Sequence, residues 1–151
     1  RGLRPNGVPA LPVAEKMLNA IKRFPREKPL DWQLDMATDF KTPFDAHDLS
    51  ELLGNQLDNA RKWAGAVVRL SAEVQEDGTH ILVVEDDGAG VEERERLKIG
   101  QRGQRLDASS QGSGLGLAIC ADLAENHGAT LTLGRSALGG LKVSTQWRPT
   151  P

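Results

Sequence analysis

Asn55 and Asn59 stand one helical turn apart, so their amides project in the same direction, and Lys62 extends the stripe. An asparagine carbonyl is a hard, neutral oxygen donor suited to magnesium beside phosphate oxygens. A lysine ammonium is a point charge that phosphates accept. Asp86-Asp87-Gly88-Ala89-Gly90 follows an apolar run directly. A carboxylate there can accept a hydrogen bond from an exocyclic amine, and glycines such as Gly88 and Gly90 let backbone approach a flat ring closely. Gly112-Ser113-Gly114-Leu115-Gly116-Leu117 opens a helix, where backbone N–H groups can face an anion. It formally matches a dinucleotide fingerprint, but no strand precedes it, so the Rossmann reading is rejected. Arg102 and Arg105 lie in the preceding loop, from which arginines can close over phosphates. Each piece also has an ordinary reading: a solvated helix face, a tight turn, a glycine-rich helix entry, surface charge.

The elements that must position these residues follow from periodicity. Pro12 suits a first helical position, and Val13, Met17, Ala20, Ile21 and Phe24 trace one helix face until Pro25 and Pro29. Trp32, Leu34 and Met36 alternate with polar residues, as in a half-buried strand. From Asp45 to Trp63 a helix is expected, with Leu49, Leu52, Leu53, Leu57, Ala60 and Ala64 on one face and Glu51, Asn55, Asn59 and Lys62 on the other. Val68 to Val74 alternates, Glu76-Asp77-Gly78 turns, and Ile81 to Val84 suits a strand covered on both faces. A short helix is expected near Glu92 to Lys98, within a loop running to Gly112. Leu115 to His127 is a helix, ended by Gly128 in a left-handed cap. Leu131 and Leu133, then Leu141, Val143 and Trp147, form a hairpin around Gly139-Gly140. The expected class is α+β: a two-layer sandwich of about five mostly antiparallel strands with about three helices on one face.

Composition narrows the function classes. The chain has 151 residues, 38% hydrophobic and 26% charged, which suits a globular domain. Nineteen basic residues against 21 acidic ones leave a net charge of -2, with no generic electrostatic case for nucleic acid. The one cysteine, Cys120, excludes an intramolecular disulfide and a cysteine-based structural zinc site. No apolar run is long enough to span a membrane, and no signal peptide is present. Residues 1–12, with three prolines, read as an interdomain linker, and 13–149 as one domain. A start at Arg1 suggests a fragment of a longer protein. Many of the 16 glycines fall between Gly88 and Gly116.

Taken in order, the asparagine-bearing helix, Asp-x-Gly-x-Gly, the loop and the Gly-x-Gly-x-Gly-Leu helix resemble the ATP-binding catalytic (HATPase_c) domain of bacterial sensor histidine kinases. That family belongs to the GHKL superfamily, with the gyrase and MutL ATPases. The N box is similar to Asn55 through Lys62, the first glycine box to Asp86 through Gly90, and the second to Gly112 through Leu117. Arg102-Gly103-Gln104-Arg105 and Leu138-Gly139-Gly140 resemble the PhoQ-type subgroup. The resemblance spans roughly Pro12 to Pro149 and implies the Bergerat sandwich. It implies Mg-ATP as cofactor, with Asn59 as main magnesium ligand and Asn55 assisting. Lys62 would contact phosphate, Asp86 the adenine amino group, and Gly88 and Gly90 would line the ring. Gly112, Gly114, Leu115 and Gly116 would form the lid end and phosphate cradle, with Arg102 and Arg105 reaching from the lid. Asp87 stands where the family usually has Asn, and Ala89 where it often has Pro. Gly90 to Gly112 has no Phe for the family's F box, and Leu97 and Ile99 would take that packing role.

Two chemical classes separate at Asn55. The superfamily's ATPases carry Glu there to activate water, whereas an amide has no useful basicity. Asn55 therefore favours phosphoryl transfer to an outside acceptor, which needs positioning and charge stabilisation. The alternatives are a gyrase-like or MutL-like hydrolase and an anti-sigma-factor-type serine kinase. His47, His80 and His127 lack the context of a phosphoacceptor and read as structural or surface residues. The acceptor histidine is therefore expected N-terminal to Arg1, in a dimerisation and phosphotransfer domain. The family further implies a downstream response regulator, a membrane-sensor parent in the inner membrane, and a cytoplasmic place for this domain without direct membrane contact.

Overall fold

Helix α2, Ala46–Trp63, is the axis around which the other elements gather. Asp45 caps it, its carboxylate accepting from the Asp48 amide at 2.7 Å, which satisfies one of the donors left over at a helix start. Leu49, Leu52, Leu53 and Leu57 are fully buried. Each contributes roughly 1.5–3 kcal/mol relative to an exposed side chain. The structure is a computed structural model and describes residues 7–89 and 113–149, with backbone only for 113–115.

Around α2 the element order is β1 (Val8–Pro9), α1 (Ala10–Ile21), β2 (Asp31–Asp35), β3 (Lys41–Thr42), then α2, β4 (Val67–Val74), β5 (His80–Asp86), α3 (Ser113–Asn126), β6 (Thr130–Arg135) and β7 (Leu141–Trp147). The main sheet has five strands in the order β2-β4-β5-β7-β6. Only β2 and β4 run parallel, Asp31 opposite Val67 through Asp35 opposite Ser71. The remaining pairs are antiparallel. The described helices pack on the face carrying Val68, Leu70, Leu82, Val84, Val143 and Trp147. This is the expected α+β sandwich.

Several local expectations shift. Helix α1 starts at Ala10, not Pro12, and ends at Ile21 rather than reaching Phe24. Val8–Pro9 pairs with Lys41–Thr42, and Ala10 is fully buried, so the end of the segment expected to be linker lies within the fold. Two-residue strands carry no periodicity to read. The buried stripe of α1 is Ala10, Ala14, Leu18 and Ile21. Phe24 is 51% exposed, and its ring carries the Arg61 guanidinium 4.7 Å from its centroid. Pro25 disfavours helix at the residue before it, which separates Phe24 from the α1 face. In β5, Leu82 and Val84 join the core, whereas Ile81 is half-buried on the opposite face. Among the described residues the helices cover only the Leu82 and Val84 face, while Val83 on the other face is also buried.

The turns behave as their residues dictate. Gly78 in the β4–β5 turn has φ +92°, and Gly128 ends α3 at φ +77°. Across the layers, Gln56 Nε2 donates to Thr145 Oγ1 at 3.1 Å, both residues being fully buried. This bond fixes the rotation of α2 over β7. At the far end, Trp147 packs edge-on against Phe40 and Phe44. His127 Nε2 donates to Asp48 Oδ2 at 2.7 Å, tying the end of α3 to the start of α2. His80 bonds the Gly78 carbonyl and stacks near Trp147, so both histidines are structural, while His47 is exposed. Among the described residues no helix is long and apolar enough to cross a membrane.

Candidate functional site

The periodicity of α2 puts Asn59 seven residues after Leu52 and three after Gln56, at the margin of the buried stripe. Asn59 is accordingly only 4% exposed, not part of a solvated face. Its Oδ1 is buried and has no hydrogen-bond partner among the described residues. An orphaned buried carbonyl costs about 1–3 kcal/mol and is uncommon. A hard oxygen donor in that state fits a magnesium ion.

One turn earlier, Asn55 is half-buried. Its Nδ2 donates to the Glu51 carbonyl at 3.0 Å, which orients the amide. A Cβ on Gly116, in the first turn of α3, would lie 3.7 Å from Asn55 Oδ1. The asparagine helix and the glycine-rich helix start thus face each other. The first-turn N–H groups of α3 carry the positive end of the helix dipole. Gly114 and Leu115 lie in that same turn. Lys62, at the last turn of α2, pairs with Asp58 Oδ2 at 3.3 Å. Asp58 also holds Arg61 at 2.7 Å, so Lys62 is tethered on its own helix.

Asp86 ends β5 and is 1% exposed. Its Oδ1 accepts from the Gly88 amide at 2.8 Å, and its carbonyl from the Gly140 amide at 3.0 Å. The β6–β7 turn therefore holds the main chain that carries the carboxylate. A Cβ on Gly140 would collide with Asp86 Oδ1 and sit 2.5 Å from the Asp86 carbonyl oxygen and 2.6 Å from Gly88 N. Ser136 secures the same turn, its hydroxyl donating to Glu85 Oε1 at 2.8 Å and accepting from the Leu138 amide at 2.9 Å. Gly88 is equally constrained: a Cβ there would overlap the Trp63 carbonyl oxygen at the end of α2. Gly88 thus brings the β5 turn against α2.

In the sequence Asp87 stands out only as a departure from the family pattern. Its Oδ1 accepts from the amides of Gly65 at 2.9 Å, Ala66 at 3.0 Å and Val67 at 3.1 Å. Burial pushes the Asp87 carboxyl up, but the Ala66, Val67 and Gly65 amides outweigh it and hold the group below the ordinary aspartate value. Asp-Gly turn chemistry was the only sequence signal for this role. Gly140 was legible as a turn residue, not as a support of Asp86. Gln56 had a clear signal, falling four residues after Leu52 and three after Leu53. Gly90, Arg102, Arg105 and Gly112, the helix expected near Glu92 to Lys98, and the packing of Leu97 and Ile99 lie outside the described residues.

Comparisons with known proteins bear on the family and the fold. The family described as "Histidine kinase-, DNA gyrase B-, and HSP90-like ATPase" matches residues 44–151. The chain is 48% identical over 106 residues to the sensor protein kinase CarS of Pseudomonas aeruginosa, covering 70% of this chain and 24% of that protein. It is 38% identical over 129 residues to the two-component sensor PhoQ of the same organism, covering 85% and 29%. The sensor protein PhoQ of Escherichia coli K12 is 33% identical over 135 residues, covering 89% and 28%. The chain thus spans about a quarter of the length of these relatives. Among solved structures it is similar to the mycobacterial sensor histidine kinase MprB, with a TM-score of 0.75 and 26% identity over 95% of this chain and 97% of that one. The catalytic domain of histidine kinase ThkA shares the fold at a TM-score of 0.79 and 16% identity, over 100% and 99% of the two chains.

Proposed function

Because the chain belongs to the histidine kinase-, DNA gyrase B- and HSP90-like ATPase family, we propose that it is the ATP-binding catalytic domain of a sensor histidine kinase. It binds Mg-ATP and passes the γ-phosphoryl group to a histidine on a dimerisation and phosphotransfer domain of the same protein. A response regulator receives the group next. The parent is read as an inner-membrane sensor, with this domain on the cytoplasmic side.

The observation that carries the reading is the buried, unpartnered Asn59 carbonyl, one helical turn from Asn55, which lies close to Gly116 at the start of α3. Asn59, with Asn55 beside it, would hold magnesium, which supplies charge neutralisation on the phosphates. Asp86 accepts from the adenine amino group, Gly88 and Gly90 let the ring lie close, and Gly112, Gly114, Leu115 and Gly116 cradle phosphate. Lys62, Arg102 and Arg105 supply further positive charge. Asn55 cannot act as general base, so water is not activated and the phosphoryl group is kept for the acceptor.

Calorimetry of ADP and ATP with magnesium tests the site. Asp86→Asn and Asn59→Ala should each weaken binding tenfold or more, and unchanged affinity in Asp86→Asn would falsify the adenine assignment. Hydrolysis should be slow in the isolated chain. Rapid turnover would favour a gyrase-like or MutL-like hydrolase. An acid-labile product on a phosphoacceptor domain supports phosphohistidine, and an acid-stable one would point to a serine kinase.

A further inference from the structure

The short connector from α2 to β4, residues 64–66, joins the helix that carries Asn59 to the sheet that carries Asp86. Its backbone groups are bound from two sides by opposite charges. On the carbonyl side, Arg26 donates through Nη2 to the Ala64 oxygen at 2.7 Å and through Nη1 to the Arg61 oxygen at 2.9 Å. These are end-of-helix carbonyls, where a cation is favoured. The Lys28 carbonyl receives Arg26 Nε at 2.7 Å, which fixes the guanidinium plane. On the amide side, Asp87 takes the Gly65, Ala66 and Val67 N–H groups. The Ala66 carbonyl accepts from the Asp31 amide at 2.7 Å, which anchors the connector to β2.

Asp87 lies between Asp86 and Gly88, and Gly88 lies directly against the Trp63 carbonyl. The β5 turn is therefore clipped to the end of α2 at consecutive residues. We propose that Asp87 is a positioning residue for the nucleotide, with Arg26 as its counterpart across the connector. Together they fix the separation between Asp86, which reads one end of the ligand, and Asn59, which holds the metal and phosphate end. The inference rests on the nucleotide-binding reading above. Three amides converging on one oxygen call for a full negative charge, which explains aspartate at this position better than an amide does.

The test measures ADP affinity in magnesium and in EDTA, for the wild-type chain, Asp87→Ala, Asp87→Asn and Arg26→Ala. Circular dichroism and thermal unfolding show which variants are folded at the working temperature. A clip that sets the spacing predicts that Asp87→Ala keeps its EDTA affinity within about threefold, a factor near half of a tenfold step on a logarithmic scale. The gain on adding magnesium should collapse at least about tenfold, because the two ends no longer register on one ligand. Asp87→Asn, which keeps one acceptor oxygen, should recover part of the gain, and Arg26→Ala should lose part of it. Equal losses in magnesium and EDTA would reduce Asp87 to a fold-stabilising role and overturn the inference. So would an undiminished magnesium gain in Asp87→Ala or, if that variant does not fold, in Asp87→Asn and Arg26→Ala. Failure of the wild-type chain to bind ADP in either buffer would overturn the nucleotide reading itself, and this inference with it.

Discussion

Replacing Gly140 by alanine adds one methyl group at the tightest point of the β6–β7 turn. Gly140 is not at positive φ, so the substitution asks nothing of the backbone conformation. Its whole effect is steric, and it falls on Asp86 and Gly88. Two of the three atoms that the methyl would meet, the Asp86 carbonyl oxygen at 2.5 Å and Gly88 N at 2.6 Å, are main-chain atoms that cannot rotate away. Overpacking of this kind costs about 1–3 kcal/mol. For a chain of 151 residues that corresponds to a fall in Tm of about 3–9 °C. The third atom is Asp86 Oδ1, which also holds the Gly88 amide. If the carboxylate swings aside, a charge-assisted hydrogen bond to the ligand is lost, worth about 1.5–3 kcal/mol or roughly 10- to 150-fold in affinity. Differential scanning calorimetry and nucleotide titration read the two effects separately. Two neighbours serve as controls. Gly139 has φ +112° and open space around it, so Gly139→Ala should lower Tm through strain while leaving affinity within about twofold. Gly134 has open space and no positive φ, so Gly134→Ala should change neither. Wild-type nucleotide affinity in Gly140→Ala would refute the claim that this turn supports the Asp86 carboxylate.

Three further outcomes follow from the same contacts. Asn59→Leu removes a buried carbonyl that lacks a partner, so chemical denaturation should show the ligand-free chain no less stable than wild type, while magnesium-dependent ADP affinity drops tenfold or more; a clear destabilisation would contradict the orphaned state of Asn59 Oδ1. The depressed Asp87 carboxyl adds stability that is present above the unfolded aspartate value of about 3.9 and is lost as pH falls through the lower folded value. Unfolding curves between neutral pH and strong acid should therefore show a shallower acid decline for Asp87→Asn, and an identical slope would count against the amide clip. Burial pushes the Cys120 thiol up to about 12. Labelling by a disulfide reagent at neutral pH should therefore be negligible in the native chain and rapid in denaturant; fast native labelling would show that α3 opens readily.

Much of the fold was legible because α2 and the hairpins repeat their apolar residues at helical and strand periods. Leu49 through Ala60 name the core face of α2, whereas Gln56, on the same stripe by spacing, is passed over by an apolar pattern because it is polar. The burial of Asn59 was harder to see, since a polar residue at the edge of an apolar stripe is exposed or covered according to what packs beside it. Pairings between strands distant in the chain carry no local signal. The sequence shows that β6 turns into β7 at Gly139-Gly140, but not that β7 lies against β5 and brings Gly140 onto Asp86. The amide cluster around Asp87 likewise exists only once residues 65–67 and the end of β5 meet. The glycine boxes and asparagines were legible as chemistry because each sits at a helix start, a strand end or one helix face.

The place of β7 in the sheet has a consequence for biosynthesis. The three motifs proposed to bind nucleotide have been translated by Leu117, yet β7 is an interior strand, with β5 on one side and β6 on the other. Until Leu141–Trp147 has left the ribosome, β6 has no partner, Gln56 has no Thr145, and Asp86 lacks the turn beneath it. A nascent chain at that stage carries every residue proposed to bind ligand, but not the sheet that positions Asp86. At the proposed site, nucleotide binding should therefore begin only after β7 is in place, which couples the arrival of ligand to completion of the sheet.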